Sequence, residues 1–225
     1  MSLPGGHPGG IALTERLLRL GGLAAFAGRE APEGSFGTPA ALKEENQPGP
    51  LRVLDLGAGD GETVSYLRGL GYAAEGVDLM PDSELVKRQD MRGLLCGEGS
   101  YHICLAECSL SACGGRQEAL REAFRILRPG GRFLVSDVFF KKAADLKPYL
   151  SGDFTWKGWE QAFSEAGFAV LAMEDESPLW KEFFLESLWN GNADGELTEF
   201  FCRAGRAGCG YFLACLEKGG QYGTV

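Results

Sequence analysis

From residue 51 to residue 139, short apolar runs alternate with stretches whose apolar positions recur every three or four residues. The runs "LRVLDLG" (51–57), "AAEGVDL" (73–79), "SYHICLAEC" (100–108) and "RFLVSDVF" (132–139) read as buried strands. Between them the pattern predicts a helix over about 61–70 and another in "RQEALREAFRILRPGG" (116–131). In the second, Ala119, Leu120, Ala123, Phe124 and Leu127 form an apolar face and Pro129-Gly130-Gly131 supplies the stop. The block "SELVKRQDM" (83–91) reads as a short helix with a weak third strand. Strands and helices alternating at this spacing imply a mainly parallel sheet covered on both faces.

Before this core, "IALTERLLRLGGLAAF" (11–26) carries Leu13, Leu17, Leu18 and Leu20 on a broad helical stripe. Thr14 either caps a helix or hydrogen-bonds to something above it. The stretch 28–50 loses all periodicity to glycine, proline and charge, and reads as a flexible insertion. After the core come a capped helix in 155–168, a strand in 169–176, an aromatic-rich helix in 178–190 and a closing strand in 209–219. Because "LTEFFCRAGRAG" (197–208) shows no full crossover helix, the last strand is expected to return antiparallel beside its predecessor. The organisation is one domain over 1–225: an N-terminal helical segment to 27, the insertion 28–50, and an α/β core from 51.

Charge narrows the partners. With 22 basic and 31 acidic side chains the net charge is −9, which opposes a phosphate polymer and argues against nucleic acid. No run of 18 uncharged apolar residues or leader pattern is present, so the chain is expected to be cytoplasmic, without a membrane partner, and monomeric or homodimeric. Seven cysteines, an odd number set inside apolar runs, read as reduced and partly buried. Cys108 and Cys113 could approach across a turn, with Cys202 or Cys209 beside them, but without a C-x-x-C pair or a histidine ligand no metal is assigned.

The densest chemistry lies in "VLDLGAGDGETVSYL" (53–67). Gly57, Gly59 and Gly61 let the backbone turn sharply after a strand, either to approach a ligand or only to make a tight turn. A phosphate loop would need lysine before the hydroxyl, and a dinucleotide fingerprint would need glycine where Glu62 stands. Asp55 and Asp60 add negative charge, so a ligand neutral or cationic on that side is preferred. Asp78, ending the next strand, is placed to accept the hydroxyl hydrogens of a ribose and to contribute little to the core. Leu79 offers apolar surface to a flat base and Asp90 an acceptor for an exocyclic amine. His102 begins its strand at the edge away from the ligand and reads as structural; His7 lies nearer the mouth. The tryptophans and phenylalanines of 156–189 read chiefly as packing over the sheet.

Taken together, "VLDLGAGDGETVSYL", "GVDL", "RQDM" and "EAFRILRPGGRFLVSD" resemble the successive motifs of class I S-adenosylmethionine-dependent methyltransferases, in particular small-molecule enzymes related to quinone biosynthesis. The resemblance implies a Rossmann-like α/β sandwich, with a mainly parallel seven-stranded sheet and an antiparallel last strand. It implies S-adenosyl-L-methionine as cofactor and a small-molecule acceptor. Residue by residue, it implies that Asp55 supports the turn or the cofactor's amino group, and that Gly57, Ala58, Gly59 and Gly61 surround the methionine portion. Asp78 would hold the ribose, Leu79 would flank adenine, Asp90 and Met91 would meet its edge, and Glu107 would face the methionine portion. The N-terminal helix would be a lid. No catalytic base is assigned, since a thiolate, amine or carbanion acceptor needs none. A cofactor-binding regulator without turnover and, more weakly, a nicotinamide-dependent oxidoreductase are the competing readings.

Overall fold

The computed structural model describes residues 7–23, 49–143, 150, 152–189 and 195–219. The expected insertion at 28–50 thus lies almost wholly outside the described residues. Thirteen elements follow in order: α1 (Gly10–Leu20), β1 (Arg52–Leu56), α2 (Glu62–Gly69), β2 (Ala73–Asp78), β3 (Val86–Arg88), β4 (Tyr101–Glu107), α3 (Arg116–Ile126), β5 (Leu127–Phe140), α4 (Trp156–Glu165), β6 (Phe168–Asp175), α5 (Ser177–Trp189), α6 (Gly195–Ala207) and β7 (Cys209–Lys218).

The seven strands form one sheet in the order β3-β2-β1-β4-β5-β7-β6. The pairs from β3 through β5 are parallel, whereas β7 runs antiparallel to both β5 and β6. The order reverses between β1 and β4, so the crevice for a ligand lies beyond the carboxyl ends of those two strands. Val53, Leu56, Ile103, Leu105, Phe133 and Val135 are fully buried, as parallel strands covered on both faces must be. Leu13, Leu17 and Leu18 turn the apolar stripe of α1 inward, and Ala119, Leu120, Ala123 and Ile126 do the same for α3.

Three expectations are corrected. The segment 197–208 does hold a helix, α6; glycines at 205 and 208 mask its amphipathic pattern. The block 83–91 forms a strand, β3, and no helix. Pro129-Gly130-Gly131 does not separate helix from strand: α3 ends at Ile126, and β5 begins immediately at Leu127. Leu127 pairs with Tyr101 and Arg132 with Ile103, so the intervening residues bulge out of the ladder, where proline's missing N–H costs nothing.

His102 is buried and its Nδ1 accepts the Arg52 N–H at 3.0 Å, a structural role at the far edge, as expected. Trp159 is fully buried and donates its indole N–H to the Val138 carbonyl at 3.0 Å, while Trp180 lies parallel to Tyr211 with ring centroids 6.3 Å apart. These two aromatics belong to the core. No helix among the described residues is long and apolar enough to cross a membrane.

Candidate functional site

Chain reversal after β1 uses three glycines at positive φ: Gly57 at 86°, Gly59 at 49° and Gly61 at 82°. The N–H groups of Gly57 and Ala58 both donate to the Val77 carbonyl, at 2.8 and 3.1 Å. The Gly61 N–H donates to Ala58 at 2.8 Å and opens α2. Ser109 crosses from the end of β4 and donates its hydroxyl to the Leu56 carbonyl at 2.6 Å. A Cβ on Gly57 would lie 2.4 Å from that of Ser109, so this position is glycine because the neighbouring loop fills the space. A Cβ on Gly59 would meet nothing within 4 Å. Gly61 is closed in by Val86 at 3.1 Å, so within this turn it is Gly59 that faces open space.

Asp78, half-buried at the end of β2, braces the turn: one carboxylate oxygen accepts the Gly59 N–H at 3.1 Å and the other the Met80 N–H at 2.8 Å. Its role is thus larger than a strand-end acceptor with little structural weight. Both oxygens keep lone pairs for further donors. Leu79 is 49% exposed and Met80 75%, an uncovered apolar rim beside it. Asp90 comes to the same side, but its carboxylate is engaged by the Arg92 guanidinium at 2.6–3.0 Å, which holds it below the usual carboxylate range. Met91 is half-buried, and its Cε would be 3.3 Å from a Cβ on Gly57. Between these residues sits one that sequence reasoning passed over: the Gln89 side-chain nitrogen is buried without a hydrogen-bond partner, while its backbone N–H holds the Asp78 carbonyl at 2.8 Å. An amide beside an acidic residue carries no signal in the sequence; its orphaned donor appears only once the chain is folded.

Glu107 ends β4 across the crevice and is 8% exposed. The Thr14 hydroxyl on α1 lies 3.1 Å from each of its oxygens, and the Thr63 hydroxyl on α2 lies 3.3 Å from one. Thr14 is therefore no cap, since α1 begins at Gly10; it reaches down onto β4. The His7 Nε2 stands 3.7 Å from the same carboxylate. Burial raises the Glu107 pKa to about 7 against the pull of the two hydroxyls, and burial lowers that of His7. Asp55, at the end of β1, is pushed well above the carboxylate range by burial and then by the charges of Glu107, Asp78 and Asp60. The turn is thus surrounded by carboxylates and suits a ligand bearing positive charge.

Two further contacts tie α1 across this edge. The Tyr66 hydroxyl on α2 donates to Glu15 at 2.7 Å, and Arg16 pairs with Glu174 at 3.1 Å and with Glu176. These contacts anchor the helix on α2, on β4 and at the end of β6.

Beyond Glu107 the chain passes through Cys108, the one non-glycine among the described residues with positive φ, at 55°. Its N–H donates to the Ser136 carbonyl at 2.7 Å, and burial pushes its thiol upward. Next to it Asp137 is fully buried, accepts from the Ser111 hydroxyl and from the N–H groups of Ser111 and Val138, and is raised by burial to about 6. All seven cysteines are free thiols. No group of three or more His, Cys, Asp or Glu that could hold a metal ion occurs among the described residues, so the structure does not bring Cys108, Cys113, Cys202 and Cys209 together as a metal-binding set. A cleft of about 210 Å³ opens at the end of β5, lined by Phe140, Leu150, Phe154 and Thr155 with Lys142 and Asp153 at its polar side.

A family model described as a methyltransferase domain matches residues 29–173. Among curated relatives, the arsenite methyltransferase of Aquipseudomonas alcaligenes is 24% identical over 162 residues, covering 57% of this chain and 47% of that protein. The arsenite methyltransferase of Halobacterium salinarum is 26% identical over 181 residues, covering 68% and 44%. The chain thus spans about half the length of these relatives. In structure it is similar to a geranyl diphosphate C-methyltransferase from Streptomyces coelicolor, solved with geranyl diphosphate and S-adenosyl-L-homocysteine. The TM-score is 0.60 and the identity 16%, over 77% of this chain and 74% of that one. At that identity the likeness is one of fold.

Proposed function

The chain belongs to the class I S-adenosylmethionine-dependent methyltransferases, and from that premise we propose that it transfers a methyl group from S-adenosylmethionine to a small-molecule acceptor. The observation that carries the reading is the turn itself. Gly59 presents backbone to open space directly beside the braced carboxylate of Asp78, with the exposed Leu79 next to it and carboxylates all around.

The residues present fit the cofactor. Asp78 has lone pairs for ribose hydroxyls, and the orphaned Gln89 amide offers a donor to a base edge that carries acceptor nitrogens. Asp90 accepts from an adenine amine only through the lone pairs that Arg92 leaves free. Leu79 and Met91 would supply apolar contact to the ring, and the turn from Gly57 through Ala58 to Gly61, with Asp55 at the end of β1, would hold the methionine portion.

When bound, the cofactor supplies a methyl already activated on sulfonium. What remains for the protein is to align the acceptor in line with that methyl and to keep water away. On this reading α1, tied to Glu107 through Thr14 and with Leu13, Leu17 and Leu18 buried on its inner face, would serve the second task. Glu62, at the place where a dinucleotide site needs glycine, sets a negative side chain against a pyrophosphate and disfavours nicotinamide cofactors.

Calorimetry with S-adenosylmethionine, its demethylated product and nicotinamide dinucleotides tests the pocket, and methyl transfer over an acceptor panel tests turnover. The expected result is binding of the first two and not of the third, with a labelled methyl appearing on at least one acceptor. Equal or tighter nicotinamide binding would overturn the cofactor reading, and binding without transfer to any acceptor would leave a regulator.

A further inference from the structure

We infer that Glu107 reads the charge of the bound cofactor, so that the site holds the sulfonium donor more tightly than the neutral thioether left after methyl transfer. The inference rests on the cofactor reading above and adds to it a residue that discriminates substrate from product.

Glu107 is a buried carboxylate whose hydrogen bonds come from neutral hydroxyls, Thr14 and Thr63, on two different helices. Among the described residues the only basic group within ion-pair distance is His7, whose imidazole is driven toward its neutral form by burial and stands near Asp60 and Glu62. The other titratable groups that face Glu107 are Asp55 on β1, Cys108 just past the end of β4 and Tyr211 on β7, none of them cationic. An ionised Glu107 is therefore an anion without a matching cation, and near neutral pH it is divided between protonated and ionised forms.

A cation entering the crevice favours the ionised form and expels the proton; a neutral ligand does not. Donor and product share the same amino-acid tail, and once the amine titration of each free ligand, which the sulfonium lowers in the donor, is measured and subtracted, the remaining difference reports the sulfonium at the site. The two hydroxyls serve either form, since each donates to a carboxylate and can also accept from a carboxylic acid.

The test is calorimetry on the full chain with S-adenosylmethionine and S-adenosylhomocysteine at pH 6, 7 and 8, each in two buffers of different ionisation enthalpy. The donor should release a few tenths of a proton near pH 7 and the product clearly less. For a shift of about one pKa unit, the donor-to-product affinity ratio should rise about fivefold from pH 6 to pH 8. Glu107→Gln should flatten that ratio, and His7→Gln should leave its trend in place. Equal proton release by both ligands, a ratio independent of pH, or loss of the trend in the His7 variant would overturn the inference. The wild-type comparison decides without any variant having to fold. Failure of both ligands to bind would instead overturn the cofactor reading beneath it.

Discussion

Thr14 on the N-terminal helix and Glu107 at the end of β4 are 93 positions apart in the chain, and the threonine hydroxyl lies 3.1 Å from both carboxylate oxygens. Each residue is buried, so neither has water to fall back on. The contact does two things. It satisfies an acceptor that folding has removed from solvent, and it fixes the N-terminal helix against the end of β4.

Thr14→Val keeps the shape and removes the donor. The expected cost is about 1–2 kcal/mol, because a buried acceptor is left with the Thr63 hydroxyl alone. The same change should raise the Glu107 pKa further, since the lost hydrogen bond favoured the ionised form. Urea unfolding of the variant at pH 7 measures the first effect; a variant as stable as the wild type would mean that the hydroxyl contact adds nothing.

Glu107 also sets a pH dependence. Burial raises its pKa from an ordinary 4.5 to about 7, so between those values the folded protein keeps a proton that the unfolded chain has lost. The stability this group contributes is therefore present at acid pH and lost as pH rises through about 7. Glu107→Gln removes the titration. The melting temperature of the variant relative to wild type should climb between pH 5 and pH 8 by about 5 °C, corresponding to about 2 kcal/mol. Asp137, raised to about 6, titrates in both proteins and cancels from the difference. A difference constant across that range would show that Glu107 is ionised throughout.

Much of this architecture was legible because the signals were local. The apolar runs that become β1, β4 and the middle of β5 are continuous, and the three-glycine turn follows its strand directly. What stayed hidden was either punctuated or long-range. Pro129 and Gly130 read as a stop, yet a bulge lets the strand run through them to pair with Tyr101. The helix at 195–207 escaped notice because its apolar positions share the segment with glycine, the poorest helix former after proline. Thr14 and His7 from the N-terminal stretch and Thr63 from α2 meet at Glu107 on β4, a convergence that no spacing rule can announce. The brace that Asp78 gives to Gly59 was similarly invisible, since a strand-end aspartate has the same sequence signature with or without it.

The glycines of the turn should separate folding from binding. Gly57→Ala meets both a positive φ of 86° and the Ser109 side chain, and should cost about 3 kcal/mol in stability. Gly59→Ala meets open space at φ 49°, so its folding cost should be only about 1 kcal/mol. Its methyl group projects where the ligand is expected, so cofactor affinity should fall by more than that stability loss explains. Unfolding curves alongside calorimetry compare the two; an affinity for Gly59→Ala equal to wild type would place the ligand elsewhere.

Thiol reactivity offers a check that needs no ligand. Burial pushes the thiols of Cys104, Cys108 and Cys209 upward, whereas Cys202 is exposed on α6. Iodoacetamide at pH 7 should modify Cys202 first and leave the other three intact in the folded protein, because only the thiolate reacts readily. Peptide mapping gives the order; early modification of Cys108 would reveal an activated thiol at the strand end.

Asp78 is the sharpest test of the site, and it requires that bracing be separated from binding. Its two oxygens hold the N–H groups of Gly59 and Met80, so Asp78→Ala should lose about 1–2 kcal/mol of stability, even though the residue adds little apolar area. Asp78→Asn keeps one accepting oxygen but sets an amide N–H against a backbone donor, so it should also destabilise, to a smaller degree. If the carboxylate in addition accepts ribose hydroxyls, charged hydrogen bonds of roughly 1.5–3 kcal/mol are lost on binding, a drop in cofactor affinity of about tenfold or more in both variants. Circular dichroism and urea unfolding establish that each variant is folded at the temperature of measurement, and calorimetry then reads the affinity. Wild-type affinity in both would remove Asp78 from the ligand site and leave it as the brace of a glycine turn.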